Sequence, residues 1–323
     1  MPDASPVTAP SLLDRYVGAM LGLAAGDALG TTVEFSPPGT FDPLKDMVGG
    51  GPFNLEPGQW TDDTSMALCL AESLLEMNEF DPIDQLARYV RWKRTGHHSS
   101  NGTCFDIGGT VLSALARFER HGDPWSGSTD PSTAGNGSIM RLVPVPLFFA
   151  RKPEAAIARA ADSSRTTHGA TEAVDACRYL AGLIIGALQG HSKDDLLAPL
   201  FTPVPALWDR EPLAPAIHEI AAGSFLRREP PAIRGTGYVV HSLEAALWAF
   251  AKSTSFEQGA LLAVNLGDDA DTTGAVYGQL AGAYYGAQGI PHQWRVKLAH
   301  CATLEKFAQR LLTAASQFTG DVR

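Results

Sequence analysis

The run Gly18-Ala19-Met20-Leu21-Gly22-Leu23-Ala24-Ala25-Gly26-Asp27-Ala28-Leu29-Gly30 sets a glycine at every fourth position of an otherwise apolar stretch. That spacing puts the four glycines on roughly one face of a helix. Each costs a helix ~1 kcal/mol relative to alanine, so close packing on that face must offset them. Two further runs repeat the pattern: Gly182, Gly186 and Gly190, then Gly274, Gly278, Gly282 and Gly286. The expectation is three helices packed backbone to backbone around a common centre. Two of the stripes adjoin acids, Asp27 and the cluster Asp268 to Asp271. A membrane-dimer reading of the stripes fails on the polar residues of the flanking helices.

Working outward, helix-period apolar spacing dominates the chain. It predicts helices over 11–30, 64–77, 84–94, 109–120, 153–163, 171–189, 213–222, 243–251, 256–265, 271–285 and 293–312. Alternating strand patterns are absent. Pro/Gly/Ser-rich connectors at 37–57, 122–137, 202–215 and 229–237 lack the length or low complexity of a domain linker. The expected fold class is therefore all-α: a single compact multi-helical domain over 11–323 behind a flexible tail at 1–10.

Composition narrows the function classes. The chain carries 25 Lys+Arg against 35 Asp+Glu, a formal charge of -10, with no basic run. This disfavours nucleic acid and anionic membrane as partners. Cys69, Cys104, Cys177 and Cys301 are scattered without a C-x-x-C pair and read as reduced residues, excluding a cysteine zinc site. The first ten residues lack the basic and apolar regions of a secretory signal, and the apolar stretch 274–290 is interrupted by Gln279 and Gln288. A cytoplasmic protein is expected.

Two acidic clusters carry the chemistry, Thr61-Asp62-Asp63-Thr64 and Asp268-Asp269-Ala270-Asp271-Thr272-Thr273, each opening a predicted helix. Alone, either reads first as a helix cap complementing the dipole. Together, with no Lys or Arg neighbour to pair with them, they would repel one another unless cations lay between. Carboxylates and hydroxyls are hard-cation ligands, so the joint reading is a metal site. Asp27, mid-helix between glycines, should be hydrogen-bonded to a neighbouring helix or serve a site. Glu34, in a Val-Glu-Phe context, suits general acid or base work as a partly desolvated carboxylate. Gly135-Asn136-Gly137-Ser138 could cradle a phosphate through backbone N–H groups, although Asn-Gly is first of all a turn. His168, in Thr166-Thr167-His168-Gly169, reads as readily as a core or capping histidine.

Taken in order, Gly22-Leu-Ala-Ala-Gly-Asp-Ala-Leu-Gly-Thr-Thr-Val-Glu-Phe35, Thr61-Asp-Asp-Thr64, Gly135-Asn-Gly-Ser-Ile-Met-Arg141, Thr167-His-Gly169 and Gly267-Asp-Asp-Ala-Asp-Thr-Thr-Gly274 resemble the ADP-ribosylglycohydrolase family. The nearest branch is the bacterial one acting on dinitrogenase reductase, and the likeness runs from Leu13 to about Ala299. The resemblance implies an all-α fold with two divalent cations, magnesium or manganese, between helix termini. It implies Thr61, Asp62, Asp63, Asp269, Asp271 and Thr272 as ligands, with Asp268 behind them at a position the family often fills with glycine. It implies Glu34 near the scissile bond and Asp106 as a second catalytic acid, although Gly109 stands where that branch has asparagine. It further implies that Gly135, Asn136, Gly137, Ser138, His168 and Tyr238 line an ADP-ribose cleft.

The activity these expectations describe is metal-dependent hydrolysis of ADP-ribose from a modified protein, with ADP-ribosyl-arginine favoured because an acidic cleft suits a guanidinium. Serine-linked, O-acetyl, nucleic-acid or small-molecule conjugates are the alternatives, as is a non-catalytic ADP-ribose-binding member. An isoprenoid synthase also uses two acidic clusters but needs aspartates at i and i+4, whereas Asp62 and Asp63 are adjacent.

Overall fold

In the computed structural model, residues 9–318 are described. They form fifteen α-helices and, among the described residues, no strand. In chain order these are α1 (Leu12–Gly30), α2 (Asp62–Met77), α3 (Pro82–Thr95), α4 (Gly109–His121), α5 (Pro144–Phe148), α6 (Pro153–Arg165), α7 (Thr171–Leu188), α8 (Lys193–Leu196), α9 (Leu207–Arg210), α10 (Pro215–Ala221), α11 (Val239–Lys252), α12 (Phe256–Val264), α13 (Ala270–Tyr285), α14 (His292–Lys297) and α15 (Cys301–Gln317). Local chemistry marks their ends. Ser11 caps α1 by accepting from the Asp14 N–H, Asp81 caps α3 with Pro82 in its first turn, and Gly96 ends α3 in the left-handed conformation.

The centre is the antiparallel pair α1 and α13. A Cβ placed on Gly22 would lie 2.2 Å from the Gly278 carbonyl oxygen, and one on Gly278 would lie 1.9 Å from that of Gly22. Gly18 meets Gly282, Gly26 meets Gly274, and Gly30 meets the backbone of Ala270 and Asp271 in the same way. The two stripes thus face each other at backbone contact, which is what offsets their propensity cost. Because the pair is antiparallel, the C-terminal end of α1 lies against the N-terminal end of α13. The Gly30 to Glu34 turn and the Asp269 to Asp271 cluster are thereby brought together.

The third stripe behaves differently from expectation. Gly182 and Gly186 on α7 face side chains, Pro203 and Ile157 for the first, Phe201 and Leu196 for the second, and Gly190 lies beyond the helix in open space. These small residues admit neighbouring side chains and bring no second helix backbone close. The predicted helix 293–312 is also two helices. His300 adopts φ 47°, and the Ala299 N–H leaves the helical ladder to donate to the Gly58 carbonyl at 3.0 Å. The short helices α5, α8 and α9 have no long apolar period to announce them. The predicted tail lies mostly outside the described residues.

A candidate binuclear metal centre and its cleft

Asp27 organises the first cluster from a distance. Its Oδ1 accepts from the Thr61 N–H (2.8 Å) and hydroxyl (3.0 Å), and its Oδ2 from the Thr64 N–H (3.0 Å) and hydroxyl (2.6 Å). Thr61 is the residue before α2, yet its own side chain does not cap the helix. The cap comes from α1, leaving Thr61, Asp62 and Asp63 to face the second cluster. Thr61 Oγ1 lies 3.1 Å from Asp271 Oδ2 and 3.5 Å from Asp63 Oδ2, and Thr272 Oγ1 lies 3.4 Å from Asp63 Oδ2. The two clusters, about two hundred residues apart in sequence, are one site.

Four of the six predicted ligands, Asp62, Asp269, Asp271 and Thr272, line a cavity of about 570 Å³, with Thr61 and Asp63 fully buried behind them. Glu34 and Asp106 line the same cavity, and one carboxylate oxygen each from Glu34, Asp106 and Asp271 lie within 4.8 Å of one another. No Lys or Arg lines it. Burial and then neighbouring carboxylates push the acids of Asp62, Asp63 and Asp271 well above the ordinary range. Glu34 is raised by burial, then by Asp106 and Asp269. Asp106 is raised by burial, then by Asp269 and Asp27, and a hydrogen bond from Glu34 partly offsets this. Asp27, despite four donors, is pushed up to about 6 because it is wholly buried.

The donor set fits a hard divalent cation. Asp63 Oδ1 and Asp271 Oδ1 are buried with no hydrogen-bond partner, and the single hydroxyl proton of Thr61 cannot serve the three carboxylate oxygens around it. Buried carboxylates crowded without a counter-charge are unfavourable unless protonated or metal-bound.

The predicted substrate residues divide. Gly135, Asn136, Gly137 and His168 line the cavity. Asn136 nevertheless spends its amide on Asp269 Oδ2 (2.7 Å) and Ser242 Oγ (2.9 Å), which orients that acid. The Ser138 hydroxyl lies in a buried network with Ser164 (2.9 Å) and Cys177, so its side chain supports the loop from behind. His168 is buried, and burial followed by Arg141 lowers its pKa to about 3, leaving a neutral ring. A Cβ on Gly137 would sit 2.8 Å from that ring, so glycine is required there. Tyr238 is partly exposed beside the loop, its backbone bridged to Gly135. Asp268 adopts φ 53°, a conformation suited to glycine, and pairs through its backbone with Phe35 and Ser36.

Two supporting residues escaped the sequence reading. Arg141, fully buried, donates to the Gly137 carbonyl (2.6 Å) and Thr167 Oγ1 (2.7 Å) and lies over the Tyr89 ring. Gln279 of α13 donates to the Ile139 and Met140 carbonyls and accepts from the Val143 N–H. The signal for Gln279 was its position in a helix apolar on every side, where a buried amide must have partners.

A model of the ADP-ribosylglycohydrolase family matches residues 8–319, so the chain belongs to that family of glycosidases. It is 46% identical to the ADP-ribosylarginine hydrolase Tri1 of Pseudomonas putida strain GB-1 over 97% of this chain and 82% of that protein. It is 32% identical to the ADP-ribosyl-[dinitrogen reductase] glycohydrolase of Rhodospirillum rubrum over 90% of this chain and 92% of that one. A solved structure titled ADP-ribosylglycohydrolase-related protein complex superposes with a TM-score of 0.83 at 47% identity, covering 94% of this chain and 99% of that chain. No helix among the described residues is long and apolar enough to cross a membrane.

Proposed function

We propose that this glycohydrolase removes ADP-ribose from arginine side chains of modified proteins, using two divalent cations, magnesium or manganese, in a reducing, cytoplasmic setting. The observation that carries the reading is the convergence of five carboxylates, Glu34, Asp62, Asp106, Asp269 and Asp271, on one cavity that no Lys or Arg lines. Such an acidic lining suits a guanidinium leaving group. The relatives named for arginine-linked ADP-ribose support the same acceptor.

Asp62, Asp63, Asp269 and Asp271, with the hydroxyls of Thr61 and Thr272, would hold the cations. When bound, these supply positive charge near the ribose hydroxyls and lower the pKa of water. The hydrolysis joins a water oxygen to ribose C1 and breaks the C1–N bond, whose electron pair leaves with the guanidine nitrogen. Glu34 is the first candidate to take the water proton, with Asp106 second. Both line the cavity beside the proposed ligands, with carboxylate oxygens within 4.8 Å of each other and of Asp271, and cations bound there would favour their ionised, proton-accepting forms. The departing guanidine then takes up the proton, so charge and atoms balance. Gly135, Gly137 and His168 shape the wall that would receive the rest of ADP-ribose.

Incubation with ADP-ribosyl-arginine, ADP-ribosyl-serine and O-acetyl-ADP-ribose, with magnesium, manganese or EDTA, tests this directly. Arginine adducts should be preferred and EDTA should abolish release. Glu34→Gln should lower turnover more than ADP-ribose affinity; an unchanged rate would move the proton-transfer role to Asp106. Metal-independent release would sink the cation assignment.

A further inference from the structure

Phe35, the residue after Glu34, is 65% exposed and lines the same cavity as the carboxylates. It also adopts φ 61°, a left-handed conformation that disfavours any side chain with a Cβ. The fold holds it there on purpose-built contacts. The Phe35 N–H donates to the Asp268 carbonyl at 2.7 Å, and the Asp268 N–H returns to the Ser36 carbonyl at 2.8 Å, with Asp268 itself left-handed. Two strained residues locked to each other beside a catalytic group are a mark of a positioned site.

The ring does not stand alone. It packs edge-on to Phe53 at 6.5 Å between centroids, and Phe53 packs on Phe105 at 5.2 Å. Phe105 precedes Asp106 as Phe35 follows Glu34, so each of the two acids has an aromatic neighbour in sequence, and Phe53 joins the two rings. Apart from that edge contact, a large apolar ring left mostly in solvent by a disfavoured backbone contributes little to the core. Beside converging carboxylates it offers a flat π-face next to negative charge, the surroundings that attract a planar, weakly hydrated cation.

We infer that Phe35, braced by Phe53 and Phe105, is the platform on which the guanidinium of the target arginine stacks, so that it selects arginine adducts at the leaving-group end of the cleft. This rests on the reading that arginine carries the ADP-ribose. Phe35 is then a specificity residue for the leaving group, with no part in holding the ADP-ribose moiety.

The test measures kcat/KM for an ADP-ribosyl-arginine protein and the inhibition constant of free ADP-ribose, which lacks the guanidinium, in wild type, Phe35→Leu and Phe35→Tyr. Leucine keeps apolar bulk and removes the π-face; tyrosine keeps it. In Phe35→Leu, kcat/KM should fall about tenfold, within the range of a partly desolvated cation–π contact, while ADP-ribose inhibition stays within about twofold. Phe35→Tyr should retain most activity. A parallel loss of ADP-ribose affinity, or no loss of kcat/KM, would overturn the platform. Should wild type release ADP-ribose from other adducts and none from arginine, the arginine reading itself fails and the platform falls with it.

Discussion

Asp27 Oδ1 accepts both the backbone N–H and the hydroxyl of Thr61, at 2.8 and 3.0 Å, so a carboxylate in the last turn of α1 serves as the remote cap of α2. The dipole of α2 and four donors hold it, and in return it fixes the first acidic cluster against the second.

Asp27→Asn should therefore damage more than charge. The amide would turn an N–H toward a donor at Thr61 or Thr64, leaving buried groups unpaired at a cost of roughly 2–4 kcal/mol. Urea unfolding should register that loss, and calorimetry a weaker affinity for manganese. A variant with native stability would show that the four contacts are dispensable.

The glycine stripes predict opposite outcomes for the same substitution. Gly278→Ala drives a Cβ to within 1.9 Å of the Gly22 carbonyl oxygen and should cost about 3 kcal/mol or prevent folding, since neither backbone can yield. Gly182→Ala meets nothing nearer than 3.5 Å and should stabilise by about 0.5–1 kcal/mol through helix propensity. Thermal melts of the pair decide whether α1 and α13 touch as described.

The metal-free protein should lose stability as pH rises. Glu34 and Asp106 hold protons more tightly folded than unfolded, so the folded chain carries the excess of protons between the ordinary carboxylate range and about 9. Stability must then fall through that window. In EDTA, Tm should drop from pH 7 to pH 9, above the range in which neutral His168 gives the opposite slope, and saturating manganese should flatten the drop by replacing protons with cations. A rise in Tm over that interval in EDTA would mean that these acids have a counter-charge.

Removing a donor should separate metal binding from folding. Asp271→Asn deletes an acid whose Oδ1 lacks any protein partner. It should reduce manganese affinity at least about tenfold while the helical circular dichroism stays unchanged, because no hydrogen bond of the fold depends on that oxygen. Asn136→Ala should weaken binding less, since it releases Asp269 and Ser242 from the amide without deleting a proposed ligand. Equal losses in the two variants would contradict the division between ligand and orienting residue.

Much of this was legible in the chain. Helix existence followed from apolar period, and the family from five ordered motifs. Other features were not. The period-four glycines at 182, 186 and 190 read like the other two stripes, yet only the neighbours facing them decide whether a glycine admits a backbone or a side chain. The helix break at His300 depends on a hydrogen bond to Gly58, some 240 residues away, which no local propensity encodes. Asn136 carries the pattern of a phosphate loop, and its amide is spent on Asp269.

What the amino-acid order determined by itself was the class of fold and the chemical inventory: helices, two acidic clusters, and acids in apolar surroundings. These are local properties, set by periodicity and side-chain type. That the two clusters form one site was already expected from their joint chemistry; tertiary structure alone decided the contacts by which they meet, that Asp27 caps a helix it does not belong to, and that Phe35 stands strained and exposed beside Glu34. Each is a contact between segments far apart in sequence, and whether distant segments meet is settled by packing, here by two glycine faces that let α1 and α13 approach to backbone contact.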